Sequence, residues 1–269
     1  MKRLVFIPAI TVFLVLSCSK PDLPNTGSNR SYGDKNLPPI QNDESLPPPS
    51  TPPAGGSNAI LVDASRDGGV WWFPQYEATG FSATAHHQGK ALANYLKSLG
   101  YKVDELPRGI TISGDLLGRY KYVIRAGGFG TYSTGEIDAY TSFLQKDSSS
   151  LLLIQDHLSI GANDPLSISL GVMFEGTAQG TISYFAQHPV TAGVHSIPFI
   201  AGSVVSNPDP QKITLLGSLN PSAGEEGLTS GVMGIVHHSR SKIFFLGDMN
   251  GLESVPQPFT QNLVKWLFP

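Results

Sequence analysis

Residues 151–161 read LLLIQDHLSIG. Four apolar residues in a row, bounded by polar ones, fit a strand buried on both faces, as in a parallel sheet. The strand then runs into Asp156 and His157, a carboxylate and an imidazole side by side. In open parallel α/β sheets, ligands bind beyond the carboxyl ends of the strands. The segment therefore asks whether this end carries chemistry.

The surrounding pattern predicts the sheet. NAILVDAS (58–65) reads as a first buried strand, and a helix follows from about His86. Leu92, Tyr95, Leu96 and Leu99 give that helix one apolar stripe, and Gly100 stops it. YKVDELP and YKYVIRAGG are two further strands. STGEIDAYTSFLQ is a helix opened by a Ser133/Glu136 capping box. NDPLSISLG starts like another helix, with Asn163 as N-cap. This alternation predicts an α/β fold: a doubly wound, mostly parallel sheet with helices on both faces. After Gly171 the pattern changes to strands separated by turns, an antiparallel C-terminal extension. Its last two strands meet as a hairpin around Arg240, and a terminal helix carries Phe259, Leu263, Trp266 and Leu267 on one face.

The amino end is read as a targeting device. Lys2 and Arg3 precede an apolar run, Leu4 to Leu16, shorter than the roughly 20 residues of a membrane span. Residues 1–17 fit a signal peptide, and VLSC (15–18) resembles the lipobox of bacterial lipoproteins, with Cys18 as the lipidated residue. An ordinary signal peptide with an incidental cysteine is the other reading. Ser19 stands where an Asp would indicate inner-membrane retention, so the expected location is the envelope of a Gram-negative bacterium, at its outer membrane. Cys18 is the sole cysteine, so the domain has no internal disulfide and must rest on its core. Residues 18–57 are rich in Pro, Ser, Asn and Gly and read as a disordered tether. Residues 58–269 suit one domain. A net charge of −3 without a basic run argues against nucleic acid.

ILVDASRDGGVWWFPQ, GKALANYLKSLGYKVDELP, YVIRAGGFG, HPVTAGV and KIFFLGDMNGL together resemble the class I glutamine amidotransferase-like superfamily, in the uncharacterised branch related to domains of intraflagellar-transport and gliding-motility proteins. The resemblance implies a tight elbow after the LLLIQ strand, carrying a nucleophilic cysteine, and a His-x-Glu pair from later strands. This chain has Asp156 or His157 at the elbow, and neither His237 nor His238 has a Glu two residues on. A carboxylate cannot replace a thiolate in attack on an amide, so glutaminase chemistry is not expected.

Candidate ligand-cleft residues are Asp63 and Asp67 after the first strand, Asp156 and His157 after the fourth, and Asp248 and Asn250 after the last. Such groups bind divalent metals, yet Asp and Asn are also common caps and turn formers, and no ligand spacing such as HExxH appears. No metal or cofactor is assigned. Trp71 and Trp72, adjacent in DGGVWWFPQ (67–75), cannot all share one core with Phe73; a ring exposed over a groove and a ring covering the sheet end are both open. GGFGTYS (127–133) lacks the dinucleotide fingerprint, and Glu136 would oppose an anion at the helix it opens. His188 is read as structural, and His237 and His238 as packed or solvated. The expected function is a lipid-anchored binding or scaffold module, with an envelope polymer or protein as partner and the membrane reached through the anchor. A metal-assisted hydrolase of carbohydrate or ester, using Asp63, Asp156, His157 and Asp248, is the alternative.

Overall fold

Four apolar strands, with a half-exposed fifth (KVDEL) at the edge, make the parallel part of the sheet; the four are central because none has a polar face to give to water. The computed structural model describes residues 53–67, 70–72, 88–106, 109–128, 131–156, 164–206, 208–219, 230–253 and 257–269. The strands are β1 (Ala59–Asp63), β2 (Lys102–Leu106), β3 (Tyr122–Ala126), β4 (Ser150–Ile154) and, far along the chain, β11 (Lys242–Leu246). Every residue of β1, β3 and β4 is buried. These five run parallel in the order β2-β1-β3-β4-β11. Three antiparallel strands extend the sheet beyond β11: β10 (Met233–Val236), β8 (Ile213–Ser218) and β6 (Tyr184–Phe185).

Pleating sorts the strand residues between two cores. Ile60, Val62, Ile124, Leu152, Ile154, Phe244 and Leu246 face α1 (Lys90–Ser98) and α5 (Pro258–Leu267). Leu61, Val123, Leu151, Leu153, Ile243 and Phe245 face α2 (Gly114–Gly118), α3 (Thr134–Leu144) and α4 (Pro165–Ser169). Each such side chain contributes about 1.5–3 kcal/mol by leaving water. The expected doubly wound α/β architecture is therefore present, with helices on both faces.

Local signals explain most helix ends. Ser133 and Glu136 form the capping box of α3. Gly100 follows α1 at φ 91°, a left-handed position that suits glycine. Leu99, however, is exposed, and Ala93 completes the buried stripe with Leu92 and Leu96. Trp266 also stands at the edge of the buried face of α5, which is made by Phe259, Thr260, Leu263, Val264 and Leu267. The cap of α4 is Asp164, followed by Pro165 at the first helical position; Asn163 lies outside the described residues, as do 81–87, where the first helix was expected to begin. The sequence reading also passes over α2. Its five residues are too few to show a period, yet parallel β2 and β3 require a crossover.

Two further corrections concern placement. The first and fourth strands of a doubly wound sheet tend to lie close together at its switch point; here β3 runs between them, and the switch in winding falls between β1 and β3. After Gly171, β5 (Phe174–Ile182), β7 (Ile197–Ser206) and β9 (Ser230–Gly231) leave the main sheet and make a second, antiparallel one. Ser203 of β7 donates its N–H to Gly247 O at 2.8 Å, so the second sheet meets the main one at the carboxyl end of β11. The packed chain also starts ahead of Asn58: Pro53 O accepts from Arg119 Nη1, and Gly56 N–H donates to Arg119 O. Among the described residues, no helix is long and apolar enough to cross a membrane.

Candidate functional site

The carboxyl edge of the parallel strands holds most of the buried polar groups. On its α3 side, Asp63 ends β1 with no exposed surface. Its Oδ1 accepts from Ser65 N–H at 2.9 Å; its Oδ2 accepts from the Tyr132 hydroxyl at 2.9 Å and the Tyr140 hydroxyl at 2.6 Å. Burial, and then the Asp63 charge, push both phenols well above their usual range, so they remain donors. Arg66 lies over the Tyr132 ring at 4.8 Å and pairs with both oxygens of Glu136 at 2.8 Å. Burial alone would raise the Glu136 pKa. Hydrogen bonds from Ile112 N–H and from Ser133, together with Arg66, outweigh it and hold the carboxyl below its ordinary value. The same carboxylate fills the amino end of α3, where an anion had been considered.

Arg125 stands next to Asp63 in the β1–β3 register and is fully buried. Its guanidinium pairs with the Asp164 carboxylate, and Nη1 donates to Gln155 Oε1 at 3.2 Å. Asp164 also accepts from Leu166 N–H and the Ser167 hydroxyl. Gly128 is required beside this group, because a Cβ there would come within 2.5 Å of Gln155 Oε1 and 2.6 Å of Arg125 Nη1. The sequence reading did not single out Arg125, Asp164, Tyr132 or Tyr140. The one available signal was an arginine inside the apolar strand YVIRA, since a buried charge demands a partner.

The α5 side of the same edge is built differently. Asp248 follows β11, fully buried, and caps the short turn Met249–Leu252. Its Oδ1 accepts from Asn250 N–H at 3.0 Å and its Oδ2 from Ile200 N–H at 2.6 Å. Burial raises its pKa to about 7; Asp156 and Glu253 push the same way, against the two N–H donors. Asp156 is buried, and its main-chain oxygen accepts from the Ser203 hydroxyl. Close backbone approach shapes this corner: a Cβ on Gly202 would lie 2.5 Å from Asp248 Cβ, and one on Gly247 would lie 2.0 Å from Ser203 O. Ala201, next to Gly202, has φ 60°, an uncommon value for a residue with a side chain.

The candidate residues from the sequence thus divide. Asp156 and Asp248 come together. Asp63 is bound to the tyrosines on the other side. Asn250 belongs to the turn after Asp248, with its Nδ2 on Glu253 Oε2 at 3.1 Å. Asp67 accepts from the N–H groups of Val70, Trp71 and Trp72 and so shapes its own loop. The groove-capping reading of the tryptophans is overturned: Trp71 is fully buried and Trp72 is 8% exposed. Trp71 donates Nε1–H to Glu105 Oε2 at 3.1 Å and packs on Gly89, where a Cβ would lie 2.3 Å from the indole. His157 and Phe73 lie outside the described residues. Among the described residues, no three of His, Cys, Asp and Glu are grouped to hold a metal ion.

His188 is structural, as read: its Nδ1 accepts from Val190 N–H, and Thr191 completes the cap. His237 bridges Thr214 Oγ1 and Gln211 O, at the rim of the antiparallel strands.

No family model matches the chain, and no curated protein matches it. Solved structures do. The N-terminal domain of mmIFT52 superposes with a TM-score of 0.53 at 13% identity, over 77% of this chain and 94% of that one. A ThuA-like protein from Bacteroides uniformis gives 0.46 at 14% identity, over 81% and 92%. A β-galactosidase from Bacillus circulans sp. alkalophilus gives 0.48 at 13% identity, over 78% of this chain and 30% of the enzyme. What is shared with the mmIFT52 domain is the α/β fold. Fold alone does not assign an activity.

Proposed function

We propose that this protein is a binding or scaffold module without catalysis, held at the cell envelope through a lipidated Cys18 and presenting its domain to an envelope polymer or protein. One observation carries the reading. Asp63, Asp67 and Asp248, three of the candidate ligand-cleft carboxylates, each accept two or more hydrogen bonds from the chain's own donors. Those bonds tie the three carboxylates to the chain's own loops, turns and tyrosines. The sole cysteine lies at the end of the apolar leader, away from the elbow after β4. The test has two parts. Cys18→Ala should abolish incorporation of labelled palmitate and move the protein out of the membrane fraction. The purified protein should release no product from envelope glycans or esters, with or without added Zn²⁺, Mn²⁺ or Ca²⁺.

The hydrolase alternative draws support from the Asp156 and Asp248 pair. A carboxyl held at about 7 beside a second carboxylate can keep a proton at neutral pH and give it to a leaving group. Metal-dependent or metal-independent turnover lost in Asp156→Asn, with folding intact, would establish it in place of the binding module.

A further inference from the structure

At the opposite end of the sheet from these carboxylates, the β10–β11 turn overhangs a shallow groove of about 560 Å³. That volume falls within the roughly 300–1,000 Å³ of ligand pockets. Ile235 contributes an apolar side chain, Trp266 of α5 an indole, the turn brings His237, His238 and Ser239, and β11 its first residue, Lys242.

These groups differ in what they have left to offer. His237 Nδ1 lies 2.9 Å from Gln211 O and so carries the ring proton; its Nε2 then accepts from Thr214 Oγ1 at 2.7 Å. Both nitrogens are occupied, and His237 serves as wall. His238 Nδ1 accepts from Arg240 N–H at 3.4 Å, which leaves its Nε2–H as a donor. Lys242 Nζ gives one N–H to Trp266 O at 2.8 Å and lies 5.5 Å from the indole centroid. Two ammonium N–H groups remain. Edge contacts with His188 at 5.3 Å and Phe244 at 6.4 Å fix the plane of the Trp266 ring. No carboxylate is among the lining residues, and the nearby cation Arg240 is drawn to Asp147 at 3.7 Å. The groove therefore has an ordered aromatic wall, an ammonium with spare donors and an imidazole N–H, with no anion of its own to answer them.

We propose that this groove binds a carboxylate-bearing saccharide, a uronic-acid unit within a short oligosaccharide. The carboxylate takes the free N–H groups of Lys242 in a charge-assisted contact. The ring's C–H surface lies against the indole, whose face carries negative charge density. Hydroxyls meet His238 Nε2–H and Ser239. The choice of a saccharide rests on the binding-module reading; the demand for an anion rests on the groove alone.

The experiment titrates the full protein with trigalacturonate and, separately, with the neutral glucose trimer cellotriose. Calorimetry and tryptophan emission report binding, since Trp266 is half-buried while Trp71 and Trp72 are core. The acidic trimer should bind at least tenfold more tightly than the neutral one. Lys242→Met should weaken it tenfold or more, and added salt should weaken the wild type. Because Lys242→Met also removes a contact to the end of α5, His238→Ala on the turn is the second variant, with a severalfold loss expected at unchanged melting temperature. Equal binding of both trimers, absence of binding to trigalacturonate at millimolar concentration, or binding indifferent to both variants would overturn the proposal. Release of new reducing ends would overturn the binding-module reading instead, and would leave a Lys242-dependent site standing.

Discussion

Two polar clusters share the carboxyl edge of one sheet, on opposite faces, and they are balanced in opposite ways. On the α3 side each carboxylate meets a cation or a phenol: Asp164 with Arg125, Glu136 with Arg66, Asp63 with Tyr132 and Tyr140. On the α5 side Asp248 has backbone N–H donors, but the charges acting on it are those of Asp156 and Glu253. The same residue type at similar strand ends is thus a tie in one place and a titrating group in the other. Asp248 is set apart by burial first, with the like charges of Asp156 and Glu253 adding to it against the two N–H donors.

The largest effect should come from breaking the balanced side. Arg125→Met leaves the buried Asp164 carboxylate without its cation, and should cost about 3–5 kcal/mol in chemical denaturation. Adding Asp164→Asn should recover much of that loss. A single-variant cost below about 1 kcal/mol would mean the pair contributes no more than a surface ion pair and would erase the contrast.

The next effect sharpens the contrast through pH. The Asp248 pKa is raised from 3.8 to about 7, so the folded state holds its proton over a window where the unfolded chain has released it. Its contribution is complete below the unfolded value and is lost as pH rises towards about 7. Thermal stability of the wild type should fall across that window, and Asp248→Asn should flatten the slope. Equal slopes for the two proteins would remove the titrating role.

The smallest effect has the opposite sign. The folded pKa of Glu136 is depressed, so its contribution is present above the unfolded value and is lost as pH falls through the folded one. Glu136→Gln should cost about 1–2 kcal/mol at neutral pH. The difference from wild type should shrink in acid, as measured by urea midpoints at pH 7 and pH 3.

Legibility followed the range of the interaction. The Ser133/Glu136 box, Gly100 after α1 and the hairpin around Arg240 were readable because each is decided within a few residues. Asp67 was readable as a turn former, for it bonds residues three to five positions on. The tyrosine partners of Asp63 lie 69 and 77 positions away, and Gln155 lies 30 from Arg125, so no local pattern announces them. The tryptophans stayed open between groove and core for the same reason. Three adjacent aromatics suggest exposure until a helix beginning at Lys90, with a glycine before it, supplies the wall for Trp71.

By itself the sequence determined the α/β class, the central apolar strands, the end of α1, the start of α3 and the absence of a cysteine at the elbow after β4. Those follow from periodicity, propensity and composition, which are local or additive. Tertiary structure decided the strand order, with β3 between β1 and β4, the departure of β5, β7 and β9 into a second sheet, and the pairing of Arg125 with Asp164 and of Glu136 with Arg66. Strand order depends on crossovers whose alternatives bury similar apolar area. The pairing of charges depends on which strand ends are brought within a few ångströms, where Coulomb energy in a medium of low dielectric is large and steep. Side chains that look alike along the chain therefore acquire different roles only once the sheet has set their neighbours.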